Sequence, residues 1–289
     1  LANGQPILPD DEETLIKILF RMPQMTLNDI HHWEHPVVPW ASLAETPNAM
    51  RTQFLRLTGR VQSAKRCPLQ PRQASLFGFD HYFQVRIEVT DKKHTAIVCT
   101  RVIPDAWQRQ DIRGERVAVS AMFLKSGETV DGLAPMVFAG PRIAWMPDRS
   151  NSALGVNADH VILGNLGMDV GLFDLVRDSN RQPIRGAERE CFYQLLHAVQ
   201  KAQPSLMKEY AKAMRLGPLL QQPQDEHGRL QYVHGTVRQI TKVVVDEPDV
   251  RDRFQIDEYY QLDMLVALGD QVIEIRGKQG SDTNPVYHS

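Results

Sequence analysis

The sequence is poor in cysteine, in long apolar runs and in net charge, and each shortage excludes a class of protein. Its 289 residues contain three cysteines, Cys67, Cys99 and Cys191, with no C-x-x-C pair. Such a set predicts neither a disulfide framework nor a thiolate zinc site. No apolar run approaches the roughly 18 residues of a transmembrane helix. The 33 Lys and Arg residues against 35 Asp and Glu give a formal charge of −2, so no overall field attracts nucleic acid or an anionic membrane.

The rest of the composition is that of an ordinary folded protein. Hydrophobic residues make up 42% of the chain and charged residues 24%. At roughly 100–200 residues per domain, the length predicts about two domains. We expect the first domain over residues 1–150, a linker over 151–181 and the second domain over 182–289.

The chain repeats itself at an offset of 177 residues. Three pairs of segments align at this offset, the second with a one-residue gap: 5–7 with 182–184, 57–61 with 233–237, and 83–87 with 260–264. This self-similarity predicts a tandem duplication in which a helical lead-in precedes a β module twice. The second copy stops opposite Ile112, so we expect its β module to be incomplete.

The first β module has the pattern of five strands. Apolar residues alternate over 55–61, 83–89 and 96–100, and again over 117–123 and 136–145, with a short helical link at 104–107 before the fourth strand. Five strands with a helical link after the third match the partly open Greek-key barrel called the OB-fold. We therefore predict an α+β, mainly β, fold. An OB-like barrel spans about residues 54–147, and a partial second barrel begins at about residue 230.

The lead-ins have helical patterns. Asp10 is expected to cap a first helix, and further short pieces follow over 26–33 and 47–52. In the second copy we expect helices over 188–203 and 205–216, separated by Pro204.

Three runs resemble one protein family. They are Gly167-Met168-Asp169-Val170-Gly171-Leu172-Phe173-Asp174, Phe192-Tyr193-Gln194-Leu195-Leu196, and Phe123-Leu124-Lys125 with Ala134-Pro135-Met136. The chain resembles an uncharacterised planctomycete family of duplicated OB-fold-like proteins with helical lead-in segments. The resemblance implies no catalytic residues and, in many members, an N-terminal membrane-anchoring segment. Since the chain begins with Leu1, we expect it to be soluble as given and to be the exported or envelope-associated part of an anchored protein, with the compartment left open.

A histidine cluster at residues 31–35 is the most metal-like feature. His31 and His35, four residues apart, would share a helix face and could jointly hold zinc. The order is not H-E-x-x-H, and no third ligand has an obvious spacing. Packing at a helix end before Pro36 is the competing interpretation. A metal-dependent enzyme at His31 and His35 is therefore the least favoured of the three functions considered. We expect no catalytic residues and no cofactor.

A basic stripe suggests a second alternative, the binding of single-stranded nucleic acid. Residues 51–72 contain six Lys and Arg and no Asp or Glu, and aromatic residues follow. Charge beside stacking surface is what single strands require. The candidate ligand-binding residues are Arg56, Arg60, Lys65, Arg66, Arg72 and Tyr82.

The equivalent loops of the two copies carry opposite charge. Residues 63–81 have a formal charge of +2, whereas residues 241–258 have −3. Two copies that grip one polyanion should both be basic, because each phosphate contact needs a cation. Complementary charge instead suits recognition between modules or chains. The favoured function is therefore a non-enzymatic binding or scaffold protein with a protein partner, either itself or another chain.

Overall fold

The computed structural model describes residues 1–267 apart from 36, 109, 130–133, 178 and 181, and it has an α+β fold built on a large mixed sheet. The elements before residue 150 are α1 (Pro9–Arg21), α2 (Leu27–Trp33), β1 (Glu34–His35), α3 (Trp40–Glu45), α4 (Pro47–Met50), β2 (Phe54–Pro68), α5 (Pro71–Phe77), β3 (His81–Val89), β4 (Thr95–Thr100), β5 (Arg116–Ser126), β6 (Met136–Ala139) and β7 (Ala144–Trp145). Those that follow are α6 (Ala158–Asn165), α7 (Phe173–Arg177), α8 (Arg189–Lys201), α9 (Pro204–Tyr210), β8 (Lys212–Ala213), α10 (Leu216–Gln221), β9 (Gln231–Tyr232), β10 (Thr236–Val244), α11 (Pro248–Phe254) and β11 (Glu258–Leu265). The predicted α+β class is confirmed, but the prediction that the fold is mainly β is wrong, because about 39% of the described residues are helical and 28% lie in strands.

The large sheet contains seven strands in the order β1-β2-β3-β4-β6-β5-β7, and β2 also pairs with β5. Neighbours are antiparallel except for β1 with β2 and β4 with β6. The 15-residue strand β2 reaches two partners, since residues 54–60 pair with β5 and residues 59–68 pair with β3. The pairings β2–β3, β3–β4, β4–β6, β6–β5 and β5–β2 therefore form a closed circuit.

Apolar side chains cover both faces of this sheet. One cluster includes Val85, Phe123 and Phe138, all fully buried. On the opposite face, a second cluster brings Leu15 and Leu19 of α1 onto the strands. Helix α1 is amphipathic, with its apolar residues one turn apart, so that a single stripe meets the sheet.

A buried ion pair anchors α1 to β5. The Nζ of Lys125 lies 2.6 Å from Oδ2 of Asp11 and donates to the Pro6 carbonyl oxygen at 3.0 Å. Burial alone would raise the pKa of Asp11. The hydrogen bond and charge of Lys125, with a backbone N–H from Ala2, outweigh that effect and hold the pKa of Asp11 below its usual value. The helical lead-in is thus fixed to the sheet by charge as well as by apolar contact.

The second half of the chain packs against the first and adds two small sheets. Leu163, Leu172 and Phe173, from the α6–α7 region, join the main apolar cluster of the large sheet. Strands β8 and β9 pair in parallel, and β10 and β11 form an antiparallel hairpin with α11 between them. Helix α11 packs on α8 through Phe254 and Tyr193. The last part of the predicted second barrel, residues 268–289, lies outside the described residues.

Several local predictions are wrong at their boundaries. Helix α1 begins at Pro9, so Asp10 lies inside its first turn instead of capping it. The helix predicted over 205–216 ends at Tyr210, where the chain becomes extended and pairs with β9. The strand predicted over 136–145 is divided into β6 and β7. Helix α5 was not predicted, although proline at its first position and left-handed Gly78 at its end are ordinary helix boundary signals.

Among the described residues, no helix is both long and apolar enough to cross a bilayer.

Candidate functional site

The residues of the predicted basic stripe are spread along one long strand and the helix after it. Arg56, Arg60 and Arg66 all lie on β2, and Arg72 lies on α5. At about 3.3 Å per residue, Arg56 and Arg66 are roughly 33 Å apart along the strand. These cations therefore do not converge on one ligand.

Two of the stripe's arginines are already paired within the chain. Arg60 forms an ion pair with Asp148 and donates to the Gly114 carbonyl oxygen at 2.7 Å. Arg66 lies 3.5 Å from the Asp80 carboxylate. By contrast, Arg56, Lys65 and Arg72 are exposed and have no carboxylate partner within the described part of the chain.

Tyr82 is not on the surface with the arginines. Its side chain is 2% exposed in the apolar cluster beneath α1. Its hydroxyl donates to Glu12 at 3.2 Å and accepts from Gln84 at 3.3 Å, and burial raises the pKa of Tyr82. A ring held in this way offers no free face for a base, so Tyr82 does not act as a stacking platform.

The two candidate zinc ligands do not share a helix face. Helix α2 ends at Trp33, and His35 lies in the extended strand β1, where it pairs with Leu55 of β2. A residue before proline is disfavoured in helical backbone, and Pro36 follows in the sequence. Within the described residues, no group of three or more His, Cys, Asp or Glu side chains is placed to hold a metal ion.

His31 and Arg56, which the sequence assigns to two different candidate sites, line the same cleft. The cleft lies between α2 and β2 on one side and α8 and the end of α11 on the other. His31, Arg56, Gly167, Gln194 and Arg253 line both of its contiguous lobes. The two lobes hold about 730 and 720 Å³ of space, part of it open to solvent. We call this region the inter-unit cleft, because its walls come from both halves of the chain.

A buried polar chain runs along the floor of the inter-unit cleft. Arg142 lies 2.8 Å from Oδ2 of Asp169, whose Oδ1 accepts the backbone N–H of Trp145. Gln194 accepts the backbone N–H of Asp169 and donates to Glu190. Burial raises the pKa of Asp169, against the charge of Arg142. Asp169 therefore links the large sheet to α8 through hydrogen bonds made on two sides.

Glu190 extends these polar contacts to α11, since its Oε1 accepts a hydrogen bond from Arg253 at the end of that helix. Sequence reasoning used Asp169 only for the family resemblance and overlooked Glu190 and Arg253. The only indication of this pair in the sequence is that the two residues, 63 positions apart, have opposite charge. That is too weak to distinguish them from other charged residues.

The hairpin of β10 and β11 carries an exposed apolar face. Directly opposed residues of two antiparallel strands point to the same side, and the register pairs Val237 with Met264 and Ile240 with Leu262. Tyr260 follows on that side, two residues from Leu262. The exposed fraction is 62% for Ile240, 56% for Tyr260 and 49% for Leu262. We call these five side chains the hairpin face.

The reverse side of the hairpin includes polar residues, and its outer edges have no partner strand within the described residues. Thr241 and Gln261 oppose each other on the reverse side and are exposed. Among the described residues, β10 and β11 pair only with each other, and the backbone donors and acceptors of their outer edges have no partner strand within that part of the chain. An isolated two-stranded hairpin is at best marginally stable in water. The hairpin face and these edges therefore form a surface suited to further strands.

No protein-family model matches this chain, and no curated protein matches it with significant similarity.

Proposed function

We propose that this chain is a non-enzymatic binding or scaffold protein, built from two copies of an OB-like unit, that contacts other polypeptides through the hairpin face. Protein contact is favoured over nucleic acid because the basic stripe is spread along β2, partly paired, and separated from Tyr82. The proposal also includes membership of the duplicated planctomycete family that the sequence resembles.

The strand pairings support an OB-like first unit. The closed circuit holds five strands, β2 to β6, and the parallel pair β4–β6 is what a Greek-key crossover produces. The short helical turn Asp105–Gln108 follows the third of these strands, β4, as a link to the fourth. This arrangement supports the proposal that the first unit is a five-stranded, partly open Greek-key barrel.

The registers of the two hairpins support duplication. The first hairpin pairs Lys65 with Gln84, and the aligned residues Thr241 and Gln261 pair in the second. Each hairpin has a register shift at the same aligned place, between residues 61 and 63 and between 237 and 239. A β-carbon on Gly59 would lie 2.2 Å from the Glu88 carbonyl oxygen, and one on the aligned Gly235 would lie 2.4 Å from that of Leu265.

The helical elements agree with the same alignment. Helices α2 and α9, and likewise α5 and α11, have bounds that differ by 177 residues. Both α5 and α11 begin with proline and end at a left-handed residue, Gly78 and Gln255. Equal boundaries at equal offsets are expected if both units descend from one segment.

The observation that carries the proposed function is the difference in burial between the two hairpins. Val85 and Ile87 of the first hairpin are 0% and 1% exposed, because β4, β5 and β6 cover their side of the sheet. The aligned Leu262 and Met264 are 49% and 37% exposed. Contiguous exposed apolar patches of several hundred Å² mark interaction sites. Strand addition to a free edge is a recurrent way of recognising polypeptides.

The experiment compares two charge-introducing double variants. Ile240→Lys with Leu262→Lys disrupts the hairpin face, whereas Thr241→Lys with Gln261→Lys adds the same charge to the reverse side. Sedimentation velocity over a concentration series measures self-association. Fluorescence anisotropy measures binding of a labelled peptide with the sequence of β5, the strand that pairs with β2 in the first unit.

We expect the wild type and the reverse-side variant to self-associate or to bind the peptide, with an affinity of about micromolar or weaker. The hairpin face comprises five side chains, fewer than the roughly 20–30 residues per partner of a standard stable interface. The face variant should lose both activities. A wild-type chain that stays monomeric and ignores the peptide, or a loss that is equal in both variants, contradicts the proposal.

A further inference from the structure

We propose that the inter-unit cleft binds a small anion that carries phosphate groups. This inference is independent of the hairpin face, which belongs to a different surface of the second unit.

The charge of the cleft walls supports an anionic ligand. The lining includes four permanent cations, Arg56, Arg142, Lys201 and Arg253, and two carboxylates, Asp169 and Glu190. The two carboxylates are already paired with Arg142 and Arg253. Arg56 and Lys201 have no carboxylate partner among the described residues, which leaves two uncompensated positive charges. A concave site with an excess of positive charge attracts anions.

The cations are placed on opposing walls. Arg56 projects from β2 in the first unit, whereas Lys201 ends α8 in the second. Arg253 lines the cleft from α11, where Glu190 pairs with its guanidinium and the ring of Phe254 lies 4.7 Å from it. A ligand with two or more anionic oxygens could contact both units at once. Binding would then join the two halves of the chain by charge.

The residue types favour phosphate within the anion class. A guanidinium presents a planar fork of donors that fits two oxygens of one phosphate, and an ammonium serves as a flexible point charge beside it. Ile30 and Val119 add an apolar part to the wall, so the ligand can include a small organic group. A nucleic-acid strand would instead need a continuous basic groove, and the stripe on β2 does not provide one.

The test uses pyrophosphate as the probe and isothermal titration calorimetry of the whole chain at low ionic strength. The cleft variant replaces Arg56 and Lys201 with glutamine. Its matched control replaces Lys65 and Arg72 with glutamine, which removes the same charge from exposed positions outside the cleft. All four side chains are exposed, so circular dichroism and thermal melting should be unchanged without ligand.

We expect saturable one-to-one binding to the wild type and the control variant, weakened at least tenfold in the cleft variant and weakened by added salt. Arg56→Lys keeps the charge but removes the fork, and it should bind with intermediate affinity. This single variant keeps the test decisive if the double variant unfolds. Absent or non-saturable binding, or equal weakening in the cleft and control variants, would overturn the proposal.

Discussion

Replacing Lys125 with methionine tests whether the buried ion pair fixes the helical lead-in to the large sheet. Methionine keeps most of the side-chain volume, yet it leaves the Asp11 carboxylate buried without the ammonium group that lies 2.6 Å away. It also removes the donor to the Pro6 carbonyl oxygen. The main effect of the substitution is therefore to leave the buried Asp11 carboxylate without its cation, and little empty space is created.

The expected cost is large. Removing one partner of a buried ion pair lowers the free energy of unfolding by about 3–5 kcal/mol, because the remaining charge stays uncompensated. With a urea dependence of about 1–3 kcal/mol per M, the midpoint of unfolding should fall by about 1–5 M. Lys17→Met is the matched control, since Lys17 forms an exposed ion pair with Glu13 at 2.7 Å. An exposed pair of this kind contributes about 0–1 kcal/mol.

The pH dependence provides a second measurement. The folded-state pKa of Asp11 is lowered, so its stabilising contribution is present above the unfolded value of 3.8 and is lost as the pH falls through the lower folded value. In Lys125→Met the carboxyl no longer has its cation, and protonation relieves the buried charge. The difference between wild type and variant should therefore shrink in acid. A cost below about 1 kcal/mol, no greater than that of Lys17→Met, would refute the reasoning.

Two further predictions concern Gly59 in β2 and the buried histidines His160 and His227. Gly59→Ala should lower the free energy of unfolding by more than about 2 kcal/mol, because its β-carbon would lie 2.2 Å from the Glu88 carbonyl oxygen. Gly78→Ala, in open space at a φ of +71°, should cost only about 1–2 kcal/mol, and equal losses on urea unfolding would contradict the backbone contact. Burial lowers the pKa of His160, whose Nε2 lies 2.9 Å from the His227 carbonyl oxygen, and burial lowers the pKa of His227 too. The unfolded chain then binds protons first, so the melting temperature should fall as the pH drops below about 6.5. His160→Gln should reduce that slope, and an unchanged slope would contradict the assignment.

Local periodicity predicted the strands well where one face of a strand meets the core. The alternation around Val85 and Ile87 placed β3 correctly, because a strand with a buried face must alternate apolar and polar residues. The same rule failed for Tyr82. Alternation assigns Tyr82 to the outer face of β3, and only the docking of α1 makes that face a second interior. A periodic pattern identifies which side of a strand a residue occupies, but it does not show what covers that side.

The candidate sites, too, depend on tertiary contacts that local sequence patterns do not show. His31, Arg56 and Arg253 belong to three elements that are far apart in the chain, and their meeting depends on how the two halves pack. The sequence showed that the aligned loops carry opposite net charge, but it did not show which residues form ion pairs with the charged side chains of each loop. Arg253, in the acidic second loop, pairs with Glu190 of α8, while Arg66, in the basic first loop, lies beside Asp80 of its own loop.

The sequence by itself determined the α+β class, the strands of the first β module and the aligned self-similarity, since each depends on short-range backbone sterics and on which side chains avoid water. The tertiary structure alone decided that Tyr82 is buried, that the hairpin face is exposed and that Arg56 and Arg253 line the same inter-unit cleft. Those outcomes depend on which surfaces come into contact between segments distant in the chain. The free energy of such contacts is shared among many side chains, and local patterns do not record it.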